Sequence, residues 1–436
     1  MSDIQMDSAT AAKGVARLLM IAILIGVVCG AATWLFMTAD HYGVRFFWDE
    51  LPQLLSGVPG WAVSIAIVAL MTLVAVVIVV LSKRRPFDMG EAEAEYDNKG
   101  RIEYRHVLGG AAFSLVSLFS GAAVGPEAAL TDINGGIGTF VAERLGLKPE
   151  HVKIMAYAGV AGAFGAFFGA APVGALLAAE LISPKSLSIS RTMIVAGLGS
   201  GATAWVAYSV LGGEKIAPLL IFPGVSGLRL VDLGLAVILG LAGGVIGLAY
   251  GMALRKARVG LMNTRKRPWL AGLAGGAVTA VAAVLSPYLL FSGIEQVGPL
   301  ISNAASLGVW ILIGLGLAKL AFNIWSLSTA YFGGPIFPII FGGLALGLAI
   351  NLVVPAIPQG VAVMGIVAGM VVSACVAPLS VTIFLALICD PSLTSVIAIA
   401  AVSAYVVRQL LAPTLPGVYR ATRAEEEQMA AAEAVA

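Results

Sequence analysis

The sequence has little charge, and this shortage excludes most soluble architectures. Only 11% of its 436 residues are Asp, Glu, Lys or Arg, whereas 59% are hydrophobic. The mean hydropathy is +0.96. Soluble domains carry about a quarter charged residues, because their surfaces must stay hydrated. The formal net charge of +2 also gives no reason to expect a nucleic-acid partner.

Histidine and cysteine are also scarce, which removes several classes of site. The three histidines have no second histidine at ligand spacing, and the three cysteines lie inside apolar stretches, where we expect them to be buried. The sequence contains no H-E-x-x-H, no G-x-S-x-G and no P-loop lysine. We therefore expect no catalytic residues, no metal site and no cofactor, and the chain is not predicted to be an enzyme.

Long apolar stretches are what the sequence has in abundance. Two of them, Leu18–Met37 and Trp61–Leu81, carry no charge and can cross a hydrocarbon core of about 30 Å. Further stretches lie at about 154–179, 193–212, 233–254, 268–291, 298–322, 336–354, 361–389 and 393–415. Because the runs lack polar alternation, they indicate helices rather than a barrel. We predict an all-α polytopic membrane protein, embedded in lipid.

The predicted transmembrane domain spans residues 16–424, with a cytoplasmic tail at 1–15 and a second tail at 425–436. Basic residues at 83–85 and 255–267 place those segments in the cytoplasm by the positive-inside rule. The stretch at 40–60 is richer in acids and is expected to be an external loop.

Glycine and proline interrupt the apolar stretches at matching places in the two halves. The first half has Gly125-Pro126-Glu127 followed by Ala171-Pro172. The second half has Gly334-Pro335-Ile336 followed by Ala377-Pro378. From Pro to Pro the spacing is 46 residues (126 to 172) in the first half and 43 residues (335 to 378) in the second. Packing of small residues explains any one such pair, but the matched spacing favours discontinuous helices.

Discontinuous helices of this kind create a site for anions. Proline cannot continue a preceding helix but suits the first turn of a new one. A helix that begins inside the membrane directs unpaired N–H groups and its positive dipole end into the protein. We therefore predict two inverted repeats, at about 60–212 and 268–415, whose re-entrant helices meet near the midplane.

The same motifs resemble those of the CLC family of chloride channels and proton–chloride antiporters. Residues 125–138, GPEAALTDINGGIG, resemble the family's Gly-Arg/Lys-Glu-Gly-Pro stretch and its glycine-rich continuation. Residues 333–338, GGPIFP, resemble Gly-Gly-Ile-Phe-Ala-Pro. Tyr419, in LPGVYR, resembles the tyrosine of the family's short final helix. The resemblance extends over about residues 15–424.

The resemblance implies a CLC-like fold that moves chloride or a similar small anion, with protons as a second substrate in antiporters. It implies a homodimer in a bacterial inner membrane. It places Glu127 on the gating glutamate and Glu180 near the second carboxylate of exchangers. The anion-binding positions that it implies are Gly125, Pro126, Ala128, Ile336, Phe337 and Tyr419.

Three departures from the family pattern leave the details of function open. Pro126 stands where most members have Arg or Lys, which gives the Gly-Pro-Glu form of an outlying bacterial branch. No serine lies at about 85–90, where the family's central serine is expected. Glu180 lies about one place earlier than the exchanger carboxylate. Channel and antiporter, and chloride and fluoride, therefore remain alternatives.

Charged residues within the spans carry the functional hypothesis, since an ionised carboxylate in lipid costs several kcal/mol. Glu127 is predicted to compete with the permeant anion at a helix N-terminus, and protonation would free the site. The alternative is an acid that only complements the helix dipole. Glu180 either relays protons or caps a structure at the membrane face. Lys319 snorkels, pairs with an acid or adds positive potential.

Two other functions fit parts of the pattern. An inverted-repeat secondary transporter of small organic solutes also uses discontinuous helices, but it needs a roomier cavity at the midplane. A membrane scaffold without transport leaves the buried acid unexplained.

Overall fold

The structure, a computed structural model, describes residues 2–82, 96, 99–182, 190–214, 219–222, 227–265, 267–329 and 331–412. Helices dominate these residues, whose only strand-type pairs are two isolated β-bridges. Eight of the described helices are long and apolar enough to cross a membrane. The prediction of an all-α polytopic protein is confirmed.

The helices are numbered here in chain order. The first half contains α1 (Ser2–Arg45), α2 (Gly60–Ser82), α3 (Val107–Phe119), α4 (Glu127–Arg144), α5 (Pro149–Phe168), α6 (Ala171–Ile182) and α7 (Arg191–Val210). The second half contains α8 (Leu230–Gly260), α9 (Pro268–Leu285), α10 (Val297–Ser328), α11 (Ile336–Val353), α12 (Gln359–Cys375), α13 (Pro378–Ile388) and α14 (Thr394–Leu411). Short helical turns cover Phe46–Glu50, Leu51–Leu54, Met262–Arg265, Pro287–Leu289 and Pro391–Leu393.

The first helix is longer than the apolar pattern indicated. The expected loop at 40–60 is wrong for its first part, because α1 reaches Arg45 and helical turns continue to Leu54. No proline interrupts the chain before Pro52, and Gly43 brings the helix against the ring of Phe119. Tertiary packing therefore extends the helix beyond its last apolar residues.

Two groups of four helices have matching lengths and contacts. Helices α4 to α7 contain 18, 20, 12 and 20 residues, and α11 to α14 contain 18, 17, 11 and 18. In each group the first helix packs on the second and the second on the fourth. Helix α1 packs on α5 and α7, as α8 packs on α12 and α14. This correspondence supports the repeat hypothesis, whose boundaries stay predictions.

The Ala-Pro pairs begin new helices, as predicted. Gly169, with φ of 77°, follows the last residue of α5, and Ala171 starts α6. Val376, with φ of 58°, follows the last residue of α12, and Pro378 starts α13. A β-branched residue in this left-handed region is strained. Each apolar stretch is therefore divided into a long and a short helix.

Small residues also allow the helices to approach closely. A Cβ atom on Gly138 of α4 would lie 2.1 Å from the carbonyl oxygen of Met155 on α5. A Cβ atom on Gly159 of α5 would lie 2.1 Å from the carbonyl oxygen of Asn134. The sequence analysis treated close packing and discontinuous helices as alternatives, but the structure has both. Together they bring the starts of α4 and α11 into the interior.

Candidate functional site

The segments that lead into α4 and α11 are joined to each other by their backbones. The N–H of Gly125 donates to the carbonyl of Gly334 at 2.9 Å, and the N–H of Gly334 donates to the carbonyl of Gly125 at 2.7 Å. This antiparallel bridge connects residues of the two halves. It fixes the N-terminal ends of the two helices beside each other.

Glu127 is the first residue of α4 and is fully buried. Its Oε1 accepts a hydrogen bond from the backbone N–H of Phe337, with 3.4 Å between nitrogen and oxygen. Its Oε2 is buried and has no hydrogen-bond partner among the described residues. The carboxylate of one repeat therefore lies at the amino end of a helix of the other, where a negative charge is favoured.

The two bridging glycines leave the space that this carboxylate occupies. A Cβ atom on Gly125 would lie 2.1 Å from Oε2 of Glu127, and a Cβ atom on Gly334 would also lie 2.1 Å from it. No side chain fits at either position without displacing the carboxylate. We interpret the space between Gly125, Gly334 and the start of α11 as a site for one small anionic group.

The start of α11 adds an aromatic wall to this space. The ring of Phe337 lies 5.7 Å from that of Phe167, 6.1 Å from that of Phe168 and 6.2 Å from that of Phe384, measured between centroids. These rings make the surroundings of the helix end apolar. In such an environment the interaction of an anion with the backbone N–H groups is stronger than in water.

The structure brings most of the predicted anion-binding positions together, but two of them have no N–H group available to an anion. Pro126 has no N–H, and the N–H of Gly125 is already bonded to Gly334. The donors that α4 and α11 leave free in their first turns include the N–H groups of Ala128 and Ile336. Tyr419 and the segment at 85–90 lie outside the described residues.

Glu180 caps a helix of the other half. Its Oε1 accepts from the N–H of Leu379 at 3.0 Å, and its Oε2 accepts from the N–H of Ser380 at 2.8 Å. The hydroxyl of Ser380 also donates to Oε2. The carboxylate thus satisfies two N–H groups in the first turn of α13. Of the two roles left open by the sequence, this geometry favours the structural one.

Lys319 is fully buried in α10 and does not snorkel. Its ammonium donates to the carbonyl oxygens of Tyr288, Leu289, Leu290 and Phe291 at 3.3, 3.0, 2.5 and 2.8 Å. It also lies 5.0 Å from the ring centroid of Phe341. No described acid forms a salt bridge with it. The side chain of Lys319 therefore joins three elements: the turn after α9, which supplies the carbonyl groups, its own helix α10, and α11, which supplies the ring of Phe341.

One polar pair at the site was not singled out from the sequence. Asn323 of α10 donates from Nδ2 to the carbonyl of Ala123 at 2.5 Å and accepts from the hydroxyl of Tyr250. A lone amide in a long apolar helix is a usable signal, because polar side chains inside membranes are rare. Among the described residues, no group of three His, Cys, Asp or Glu side chains converges as metal ligands would.

Comparison with known proteins gives this geometry its context. The sequence profile described as voltage gated chloride channel matches residues 73–409. The chain belongs to this family, the CLC proteins. The match covers both bridging segments, Glu127 and the start of α11. Transport of chloride or a similar small anion by a multi-pass membrane protein, as predicted, is therefore confirmed at the level of the family.

Individual relatives of this CLC protein are distant in sequence but similar in fold. "Putative ion-transport protein YfeO" of Salmonella newport (strain SL254) is 24% identical over 356 residues, which cover 80% of this chain and 84% of the relative. A slow cyanobacterial Cl−/H+ antiporter has a TM-score of 0.75 at 20% identity, covering 91% of this chain and 95% of the other. A CLC-type fluoride/proton antiporter has a TM-score of 0.74 at 18% identity, covering 91% and 96%. The predicted CLC-like fold is confirmed.

Proposed function

We propose that this CLC protein moves chloride or a similar small anion between the starts of α4 and α11, and that Glu127 gates the path. One observation carries the proposal: the buried Glu127 carboxylate occupies the space between Gly125 and Gly334 and accepts from the N–H of Phe337. A permeant anion requires the same donors in the same space. Carboxylate and anion therefore exclude each other.

Protonation of Glu127 is the step that opens the site in this proposal. A neutral carboxyl group loses its attraction to the helix ends, so an anion takes its place. A proton that is taken up on one side and released on the other couples the two ions. The buried Oε2 without a described partner supports this role, since it is the atom that a proton can occupy.

The remaining features of the proposal concern surroundings and assembly. We propose that Glu180 acts mainly by capping α13, because both of its oxygens are engaged there. A further proposal is that two copies form a homodimer in the lipid of a bacterial inner membrane, each with its own path. The bacterial relatives support the inner-membrane location.

The decisive experiment uses the protein in liposomes that are loaded with potassium chloride or potassium fluoride. Anion efflux and external pH are recorded with and without valinomycin. Efflux that drives protons against their gradient indicates an antiporter, and efflux without proton movement indicates a channel. Glu127→Gln should abolish proton coupling and alter the anion flux. Unchanged coupling and flux in this variant would remove Glu127 from the gate.

The identity of the anion is read from the same assay. Fluoride is the second candidate, because a CLC-type fluoride/proton antiporter has nearly the same fold similarity as the chloride antiporter. The rate ratio of chloride to fluoride efflux decides between them. Transport of small organic solutes is the outcome least consistent with the narrow, carboxylate-filled space between the two glycines.

A further inference from the structure

The loop between α3 and α4 places the amino end of α4, and hydrogen bonds at Gly121, Ala123 and Gly125 help to hold it. The N–H of Phe291 donates to the carbonyl of Gly121 at 3.1 Å. The bridge with Gly334 holds Gly125. Between these two points, the carbonyl of Ala123 accepts from Nδ2 of Asn323 at 2.5 Å. The first two contacts join backbone groups, whereas this middle contact depends on the side chain of Asn323, so it can be removed by substitution without changing the backbone.

Asn323 makes the middle contact in one orientation. Its side chain is fully buried, its Nδ2 faces the carbonyl of Ala123, and its Oδ1 accepts from the hydroxyl of Tyr250 on α8. Because an amide has donors on one end and an acceptor on the other, reversing it would set its oxygen against a carbonyl oxygen. The carbonyl of Ala123, which can only accept, therefore fixes the orientation of the amide, and the Tyr250 hydroxyl satisfies the amide oxygen in that orientation.

Helix association alone does not account for this arrangement. A hydrogen bond between Tyr250 and Asn323 would be sufficient to join α8 to α10 within the membrane. The second end of the amide instead reaches a loop carbonyl four residues before Glu127. The pair thus connects α8 and α10 to the loop before α4. This loop places the anion-binding N–H groups at the start of α4.

We propose that Asn323, supported by Tyr250, is a positioning residue that sets the separation between the starts of α4 and α11 and thereby the affinity for the permeant anion. This inference rests on the proposed function of the site. Neither side chain has a described hydrogen bond to the Glu127 carboxylate. Both act through the carbonyl of Ala123, which keeps the N–H groups at the start of α4 directed to the same point as that of Phe337.

Two substitutions remove the contact to different degrees. Asn323→Leu keeps the size of the side chain and removes its donor, so the buried carbonyl of Ala123 loses this partner. Its half-saturating chloride concentration should rise about five- to tenfold, which corresponds to the loss of one hydrogen bond. Tyr250→Phe leaves the bond to Ala123 in place but removes the donor to Oδ1, so the amide is held less firmly, and a rise of about two- to threefold is expected. Maximal turnover should change less than the half-saturating concentration.

The matched control is Tyr157→Phe. Tyr157 is equally buried, and its hydroxyl donates to the carbonyl of Ala175 at 2.7 Å, between α5 and α6. Its loss removes a comparable hydrogen bond away from the loop before α4. This variant should transport chloride with the half-saturating concentration of the parent protein.

Chloride efflux from liposomes is measured over a range of chloride concentrations for the parent, the three variants and Glu127→Gln. Higher half-saturating concentrations in Asn323→Leu and Tyr250→Phe, with Tyr157→Phe unchanged, support the proposal. Half-saturating concentrations like that of the parent in Asn323→Leu and Tyr250→Phe, or an equal rise in Tyr157→Phe, would overturn the proposal. If Asn323→Leu does not fold, the comparison of Tyr250→Phe with Tyr157→Phe alone decides. An unaltered Glu127→Gln variant would instead reject the gate itself.

Discussion

Substituting alanine for Gly334 tests whether the carboxylate and the anion share one space. The new Cβ atom would lie 2.1 Å from Oε2 of Glu127, whereas ordinary van der Waals contact begins at 3.4 Å. The carboxylate must therefore move by roughly the difference, 3.4 − 2.1 = 1.3 Å. Its 3.4 Å hydrogen bond to the N–H of Phe337 is already long and does not survive such a shift.

The expected size of the effect follows from that hydrogen bond. A hydrogen bond to a charged group contributes about 1.5–3 kcal/mol. Its loss lowers the occupancy of the site by the carboxylate about 10- to 150-fold. The methyl group also occupies part of the volume that an anion needs. Because a weaker carboxylate would by itself admit the anion more easily, only the volume of the methyl group slows transport. We therefore expect Gly334→Ala to weaken proton coupling and to lower chloride turnover, and to lower fluoride turnover less because fluoride is the smaller ion.

The assay is anion efflux from liposomes, with Gly314→Ala as the matched control. Gly314 lies in α10, and a Cβ atom there would meet nothing within 4 Å. Alanine is the better helix former, so the control should be as stable as the parent protein or more so. The double variant Gly334→Ala/Glu127→Ala lacks the carboxylate with which the new methyl group clashes. It therefore measures the effect of the methyl group on the anion alone. Parent-like chloride turnover in the single variant would refute the shared space.

Three further predictions concern the charged groups around the site. Wild-type efflux should rise as the pH falls, because protonation withdraws Glu127 from the anion's place, and Glu127→Gln should show a flat pH profile. Lys319→Met should lower the free energy of unfolding by about 3 kcal/mol, since it leaves four carbonyl groups, two of them buried, without this donor; thermal unfolding in detergent measures the loss. Glu180→Ala should destabilise the protein by about 1–2 kcal/mol by uncapping α13 yet preserve proton coupling, whereas loss of coupling with parent-like stability would assign it to proton relay.

The sequence predicts the helix starts well, because proline and glycine restrict the backbone locally. Pro172 lies in the first turn of α6 and Pro378 begins α13, as expected, and Glu127 is buried at a helix start, as expected. These features depend on nearest neighbours along the chain. They require no knowledge of which helices later come together.

The partners of the same residues could not be predicted, because they are backbone atoms distant in sequence. Gly125 was expected to bind the anion, but its N–H is bonded to a carbonyl 209 residues away (334 − 125). Lys319 was expected to snorkel, pair or add potential, and its partners are carbonyl groups of a turn about 30 residues earlier. Asn323 gave a signal, but its acceptor lies 200 residues away.

The bridge between Gly125 and Gly334 limits how this transporter can work. Two hydrogen bonds between buried glycines tie one half to the other, and rigid rotation of the halves away from each other would break both. A rocking cycle of the kind used by large carriers would therefore have to break and re-form this contact in every turnover. Movement of single side chains, with the backbone unchanged, lets an ion pass while both hydrogen bonds stay intact.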